Sequence, residues 1–380
     1  MTRSAFVEPR ELVAWLGAIQ AQDYAGTKWA VGLRLARAGL GDEAVERAIA
    51  TGSILRMHVM RWTWQLVLPE DARWMLALVK PRLVARAKRR HETLDLDDAT
   101  FRKSNDVLEK ALRDGRHRTR QELATLLAAA RIPVTGERLS HLLGRAELDA
   151  ILSSGARRGK QFTYVHMDER APLQRTPLSR EEAIAALALR YFRSRGPALL
   201  DDFIWWSGLT ASEARMGLEA TRSSLVSEVI DGRTYFHGEA PKPARAPRSG
   251  CHLLPPFDEY IVAYRNRDAL IDERHIKLVN AGGGMLNPVV IVAGRVRGTW
   301  RRELAPDHVM IEVDLFDPPT PTEEREIERA AERFGSFLGK EPRIVRRAAR
   351  GRSGSSRRAV NPGGARRAPA PRSATRGNRK

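Results

Sequence analysis

Cysteine is close to absent from this sequence. Its 380 residues include one, Cys251, so no intrachain disulfide is available. With a single thiol and scattered histidines, the spacings that hold a zinc ion do not occur. Neither a metal nor another cofactor is expected. Long apolar runs are missing as well. No stretch approaches the roughly 20 residues of a membrane-spanning helix. The opening Met1-Thr2-Arg3-Ser4-Ala5-Phe6-Val7-Glu8-Pro9 has no apolar signal core. The chain is therefore expected to be cytoplasmic and without a membrane partner. Familiar catalytic signatures are lacking too. There is no Gly-x-Ser-x-Gly elbow and no dinucleotide fingerprint after a strand. The run Gly282-Gly283-Gly284 lacks the lysine and following helix of a phosphate-binding loop, and reads as a flexible loop.

What is present is positive charge, unevenly placed. The formal net charge is +19. From Arg346 to Lys380 there are 12 Lys and Arg residues and no acid. This tail is rich in Arg, Gly, Ser, Pro and Ala, has few large apolar residues, and is expected to be disordered. It either adds salt-sensitive attraction to phosphates or serves only as a solubilising tail. The body remains mildly basic, which favours a polyanionic partner. A hydrophobic fraction of 42% is enough for true cores, and the length suits several modules.

Periodicity organises the body. Leu12, Val13, Leu16 and Ile19 share one helical face, with further helices expected over Thr27–Ala38 and Asp42–Ala50. Ile54–Met60 and Trp62–Leu68 read as two strands around Arg61, followed by a long helix Glu70–His91. Helices then a hairpin is the order of a winged helix, and the order repeats. Helical patterns at Phe101–Arg113, Thr119–Ala130 and Gly136–Ala150 precede strands Ile151–Ser154 and Phe162–His166. Patterns at Ser179–Arg193, Leu200–Ser207 and Thr210–Thr221 precede Leu225–Ile230 and Arg233–His237, joined by the turn Asp231-Gly232. Capping boxes are expected at Thr119 with Glu122, Ser179 with Glu182 and Thr210 with Glu213. After a Pro/Arg/Lys-rich linker at Ala240–Ser249, strands are expected at Ile261–Tyr264, Val289–Val292, Val296–Trp300 and Val309–Leu315, with a helix Thr322–Leu338. The expected fold is α+β: three tandem winged-helix units (1–95, 96–175, 176–240), a small β-barrel-like domain (250–342) and the tail (343–380).

The candidate site residues lie in two hairpins and one turn. Leu16-Gly17-Ala18-Ile19-Gln20-Ala21-Gln22-Asp23-Tyr24 ends a helical pattern and sets Gln20 and Gln22 at alternate positions. In Leu55–Gln65, Arg56, His58 and Arg61 suit phosphate contacts, and Trp62 and Trp64 suit stacking on a displaced base. For Trp64 a place in the core is the preferred reading, and His58 is read equally as structural. The hairpin tip holding Arg157, Arg158 and Lys160 suits a phosphate backbone or a solvated turn.

Four segments together resemble a known family. Leu16–Ala30, Leu55-Arg-Met-His-Val-Met-Arg61, Leu253-Leu-Pro-Pro-Phe-Asp-Glu-Tyr-Ile-Val-Ala-Tyr264 and Val296-Arg-Gly-Thr-Trp-Arg-Arg302 are similar, in this order, to the AlkZ-type winged-helix DNA glycosylases. The resemblance implies tandem winged helices and a barrel-like domain clamped around double-stranded DNA. It implies hydrolysis of the N-glycosidic bond of alkylated purines, including crosslinked ones, by a monofunctional enzyme expected to be a monomer. The family's Gln-x-Gln motif falls on Gln20 and Gln22, which would place the attacking water. Asp23 would either add electrostatic stabilisation or cap a helix. Relatives commonly carry a proline near Trp62 and a histidine at the position of Gln65, and an amide cannot titrate as that histidine does. They often have a helix ahead of residue 9, so either the start is misplaced or the first unit is trimmed. Two other readings remain. One is a winged-helix regulator, which prefers defined sites. The other is a damage binder without activity, which the altered Gln65 favours.

Overall fold

A computed structural model describes residues 5–36, 40–173, 176–239 and 250–347. The expected linker at 240–249 and the tail from 348 onward lie outside the described residues. No described helix is long and apolar enough to cross a membrane.

Three successive stretches each run through helices into a hairpin. The first has helices Pro9–Leu16, Tyr24–Gly32 and Asp42–Ala50, strands Leu55–Val59 and Thr63–Val67, and a closing helix Pro69–Thr93. Its glutamine segment corrects the sequence reading. Ile19–Gln20 is a short strand at the edge of the hairpin, with Ile19 opposite Leu66 and Gln20 opposite Gln65. Burying Ile19 and giving the Ala21 N–H to the Trp64 carbonyl at 2.7 Å holds it there rather than in a free turn.

The second stretch has helices Asp98–Leu112, Arg120–Ala129 and Arg138–Leu148. Its three-stranded sheet places Thr163–His166 between Arg118–Thr119 and Leu152–Ser154. The third has helices Arg180–Arg195, Leu200–Ser207 and Ala211–Thr221, then the hairpin Val226–Ile230 with Arg233–His237. Asp231 and Gly232 both take positive φ at its turn, the mirror-image turn geometry that matches strand twist. The capping boxes at Thr119, Ser179 and Thr210 all form, and a fourth forms at Thr320 with Glu323.

The last part is a five-stranded sheet in the order Glu341–Arg346, His308–Leu315, Arg295–Leu304, Val289–Val292, Cys251–Leu254. It is open, which corrects the barrel-like expectation. Its final strand arrives after the helix Pro321–Leu338 and therefore pairs parallel with His308–Leu315 at one edge. Cys251–Leu254 forms the other edge and, among the described residues, pairs only with Val289–Val292. The helix covers the sheet with Ile327, Ala330, Ala331, Phe334 and Phe337, the i, i+3, i+4 spacing of one apolar stripe. Two further expectations are corrected. Residues 343–346 belong to the final strand, not to the tail, because Pro342, Ile344 and Arg346 alternate inward. Residues Glu259–Val262 are a single helical turn, not a strand, because the Asp258 carboxylate accepts the Tyr260 N–H.

The glutamine segment belongs to the largest of three apolar clusters, which joins the first stretch to the five-stranded sheet. Trp29 makes that joint. Its indole N–H donates to the Leu253 carbonyl at 2.6 Å and its ring meets Phe334 and Phe337. A second cluster ties the Leu55–Val67 hairpin to the third stretch. The glutamine strand thus sits where the separate parts of the chain converge.

Candidate active site at the glutamine strand

Gly17 ends the first helix with φ 73°, a left-handed conformation that suits glycine, and the chain turns into the strand. A buried ion pair holds this exit. Arg195 donates to the carbonyls of Leu16 at 2.6 Å and Ala18 at 2.7 Å. Its Nε and Nη2 reach Glu259 Oε2 at 3.0 and 2.6 Å, and the Trp206 indole donates to the same oxygen at 3.1 Å. The other oxygen, Glu259 Oε1, accepts the main-chain N–H of Gln20 at 2.7 Å. Both charges lie out of solvent, so each depends on the other.

The two glutamines are not equivalent. Gln20 is buried, and its Oε1 accepts from Gln65 Nε2 and from the Ala21 N–H, each at 3.2 Å. Gln65 Nε2 also donates to Thr63 Oγ1 at 2.9 Å, while Gln65 Oε1 is buried with no partner among the described residues. Gln22 is exposed, and its side chain has no hydrogen-bond partner among the described residues. Asp23 stands at the N-cap position of the next helix but makes no capping bond, and lies 3.7 Å from Arg302.

Arg56 lies beneath the glutamines. Its Nε and Nη2 donate to the carbonyl of Ala21, the residue between them, at 3.1 and 3.0 Å. The guanidinium rests on Trp64, 4.0 Å from the ring centroid, and burial pushes it down to about 10. His58 also meets the Trp64 ring, 3.6 Å between centroids. Glu147, buried beside it, receives His58 Nδ1 at 2.6 Å and the His58 main-chain N–H at 3.2 Å. Trp64 is thus half-buried packing that also orders the Arg56 and His58 side chains.

A family described as AlkZ-like (DNA glycosylase AlkZ-like) matches residues 13–337. The chain belongs to the AlkZ-like DNA glycosylase family. It is 26% identical over 371 residues to the "Interstrand DNA cross-link repair glycosylase" of Streptomyces sahachiroi, spanning 90% of this chain and 94% of that protein. The solved structure of Streptomyces sahachiroi DNA glycosylase AlkZ superposes with a TM-score of 0.75 at 24% identity, covering 90% of this chain and 95% of that one, and shows the same fold.

In this AlkZ-like chain the remaining candidate residues divide into two places. Arg157 comes to the Trp64 side of the site, with its guanidinium 5.1 Å from the Tyr24 ring centroid and 5.4 Å from that of Phe162. Its Nη1 is 3.5 Å from Glu46 Oε2. Lys160 is exposed beside it, and Arg158 pairs with Glu122 at 2.8 Å and donates to the His117 carbonyl at 2.7 Å. Arg61 and Trp62 instead occupy the turn of the first hairpin, both at positive φ, and pack on other helices. The Arg61 guanidinium lies 5.2 Å from the Trp205 ring, and its Nε is buried without a partner among the described residues. Trp62 lies against Gly144. The sequence reading missed Glu259 and Arg195, whose role depends on contacts far along the chain. It also missed Tyr24 and Phe162, which form an edge-to-face pair 5.0 Å apart. The segment Leu253–Tyr264 was the available signal for Glu259, since it carries two acids, Asp258 and Glu259, inside an apolar run.

Proposed function

We propose that this chain is a monofunctional DNA glycosylase that hydrolyses the N-glycosidic bond of alkylated purines and unhooks interstrand crosslinks. The observation that carries the reading is the unequal glutamine pair, one amide braced and one presented to solvent. Cleavage builds oxocarbenium character on the sugar carbon. An N-alkylated purine carries positive charge, so the C–N bond breaks with its electron pair returning to the ring and neutralising it. The protein must chiefly place a water. Gln20 Oε1 is occupied by two donors, leaving its Nε2 to donate to the water oxygen. Gln22 offers a free carbonyl oxygen to accept a water proton, and the water's surplus proton leaves to solvent. Holding that water against the sugar carbon is the larger share of the catalysis.

The partner in this reading is double-stranded DNA. The three helices-then-hairpin stretches are three winged-helix units over about 1–95, 96–175 and 176–240. Arg56 and His58 steady the glutamine strand from below, while Arg157 and Lys160 meet phosphates. The name of the Streptomyces sahachiroi relative, a crosslink repair glycosylase, supports the substrate class.

The test is base release from duplexes carrying N7-alkylguanine or a nitrogen-mustard crosslink, comparing the natural chain with Gln20→Ala and Gln22→Ala. Release that collapses in both variants supports the reading. Salt-dependent binding with no release from either duplex points to a non-catalytic damage binder or regulator.

A further inference from the structure

Beside the glutamine strand lies a cavity of about 390 Å³, between the Trp64 strand and the 154–164 hairpin. That volume falls at the small end of ligand pockets. Its walls are of two kinds. Tyr24, Trp64 and Phe162 supply rings, and Arg56, Arg120, Arg157 and Lys160 supply charge. Among the described residues, no acidic one lines it.

The charge is only partly neutralised from behind. Arg56 bonds a carbonyl and has no carboxylate partner among the described residues. Arg157 reaches Glu46 only at 3.5 Å, and that carboxylate already takes Lys28 and the Tyr24 hydroxyl, each at 2.8 Å. Arg157 Nε is buried and has no partner among the described residues. Arg120 bonds the Ser140 hydroxyl, and Lys160 stands exposed at the mouth. A ligand of this cavity therefore needs a flat unsaturated face for the rings and negative charge for the cations.

We propose that the cavity receives one unstacked nucleotide of the DNA, its uncharged base against Tyr24, Trp64 and Phe162 and its phosphate on the cations. This rests on the DNA-glycosylase reading and adds a second contact to it. The cavity is not the seat of the lesion, because a cationic alkylpurine would meet Arg56 and Arg157 as like charges. The nucleotide is an undamaged one beside or opposite the lesion. Arg56 links the two places: the guanidinium that floors the cavity also holds the Ala21 carbonyl between Gln20 and Gln22. Filling the cavity fixes the glutamine strand.

The test uses the full chain and two undamaged duplexes, one fully paired and one with a single unpaired adenosine. Fluorescence anisotropy is expected to show about tenfold tighter binding to the second, the size of one base stacked on an aromatic side chain. Phe162 is 42% exposed at the cavity lip, so Phe162→Ala leaves the core intact. Its ratio is expected to fall to about two, with an unchanged thermal midpoint. Deoxyadenosine 5′-phosphate should erase the natural chain's preference, and adenosine or inorganic phosphate should each do so less well. Equal binding to both duplexes, a preference that survives Phe162→Ala, or phosphate competing as well as the nucleotide overturns the proposal. The nucleotide binding without any preference for the unpaired base overturns it too, and marks a free-nucleotide site. Base release that persists while the preference fails leaves the glycosylase reading standing, and the reverse result removes only that reading.

Discussion

Glu259 Oε1 accepts the main-chain N–H of Gln20 at 2.7 Å, across 239 positions of sequence. The other oxygen of the same carboxylate takes Arg195 and the Trp206 indole. One side chain therefore fixes the backbone of the proposed catalytic strand and neutralises the arginine that holds the strand's approach. Its place in the core, rather than on a surface, makes the strand position insensitive to solvent.

Replacing that carboxylate by an amide is the sharpest probe. Glu259→Gln keeps the shape but removes the charge that Arg195 requires, and even with its oxygen turned to Arg195 and Trp206 it sets an N–H₂ against the Gln20 N–H. Breaking one partner of a buried pair costs about 3–5 kcal/mol. Urea denaturation is expected to show a loss of that order. Base release at a temperature where the variant is folded should fall as well. Full activity and unchanged stability would show that the strand is held by other contacts.

How far the sequence discloses this arrangement depends on the range of the interaction. The capping boxes at Thr119, Ser179 and Thr210 are visible because hydroxyl and carboxylate lie three residues apart. The hairpin turn Asp231-Gly232 is visible for the same reason. The Gln20–Glu259 contact has no local signature. Tyr260-Ile261-Val262-Ala263 has the composition of a strand, and only the cap from Asp258 makes it a helical turn. The barrel-like expectation fails because only the three central strands are legible, while the two edge strands, Cys251–Leu254 and Glu341–Arg346, and the openness of the sheet are not. Whether Glu341–Arg346 pairs parallel at one edge is decided by the helix before it. Gln20 and Gln22 are legible as a pair, but their unequal burial depends on Gln65 of the neighbouring strand.

That inequality gives a second prediction. Gln22→Ala removes an exposed side chain, and its stability should stay within about 0.5 kcal/mol of the natural chain. Gln20→Ala strips an acceptor from Gln65 and should cost about 1–2 kcal/mol. Thermal melts of both variants beside the base-release assay separate the two. Equal destabilisation would mean that Gln22 is also packed.

A third concerns pH. His252 lies under the helix Pro321–Leu338, where Arg333 Nη2 donates to its Nδ1 at 3.0 Å. Burial, aided by the Arg333 charge, pushes it down to about 4 from an ordinary 6.5. Burial also lowers His91, His117 and His141. The unfolded chain thus binds more protons than the folded one between pH 6.5 and about 4. The stability contribution is complete above 6.5 and is lost as pH falls through that window. His252 alone accounts for about 2 kcal/mol between pH 7 and pH 5. His252→Gln should flatten that part of the slope in denaturation at the two pH values. An unaltered slope assigns the effect to the other histidines.

Gly144 tests the place given to Trp62. A Cβ built at Gly144 comes 2.8 Å from the Trp62 ring. Gly144→Ala therefore forces the hairpin turn off the helix Arg138–Leu148, at a cost of about 1–3 kcal/mol. If Trp62 serves packing, stability falls while base release by the folded fraction holds. A loss of release in folded protein would return Trp62 to the DNA.

Gln65 allows stability and activity to be pulled apart. Its Nε2 serves Gln20 and Thr63, yet its Oε1 is buried with no partner among the described residues, a group that lowers stability by remaining unpaired. Gln65→Leu removes both the useful donor and the unpaired acceptor from a site already enclosed in the sheet. The lost hydrogen bonds and the relieved oxygen offset one another, and the melting midpoint should stay level or rise. Gln20 would then lose the contact that aims its amide, and a misplaced water lowers the rate by about a hundredfold. A variant as stable as the natural chain but slow in base release is the expected result. If it is equally fast, the Gln20 amide is aimed by the Ala21 N–H alone, and the brace from Gln65 is packing.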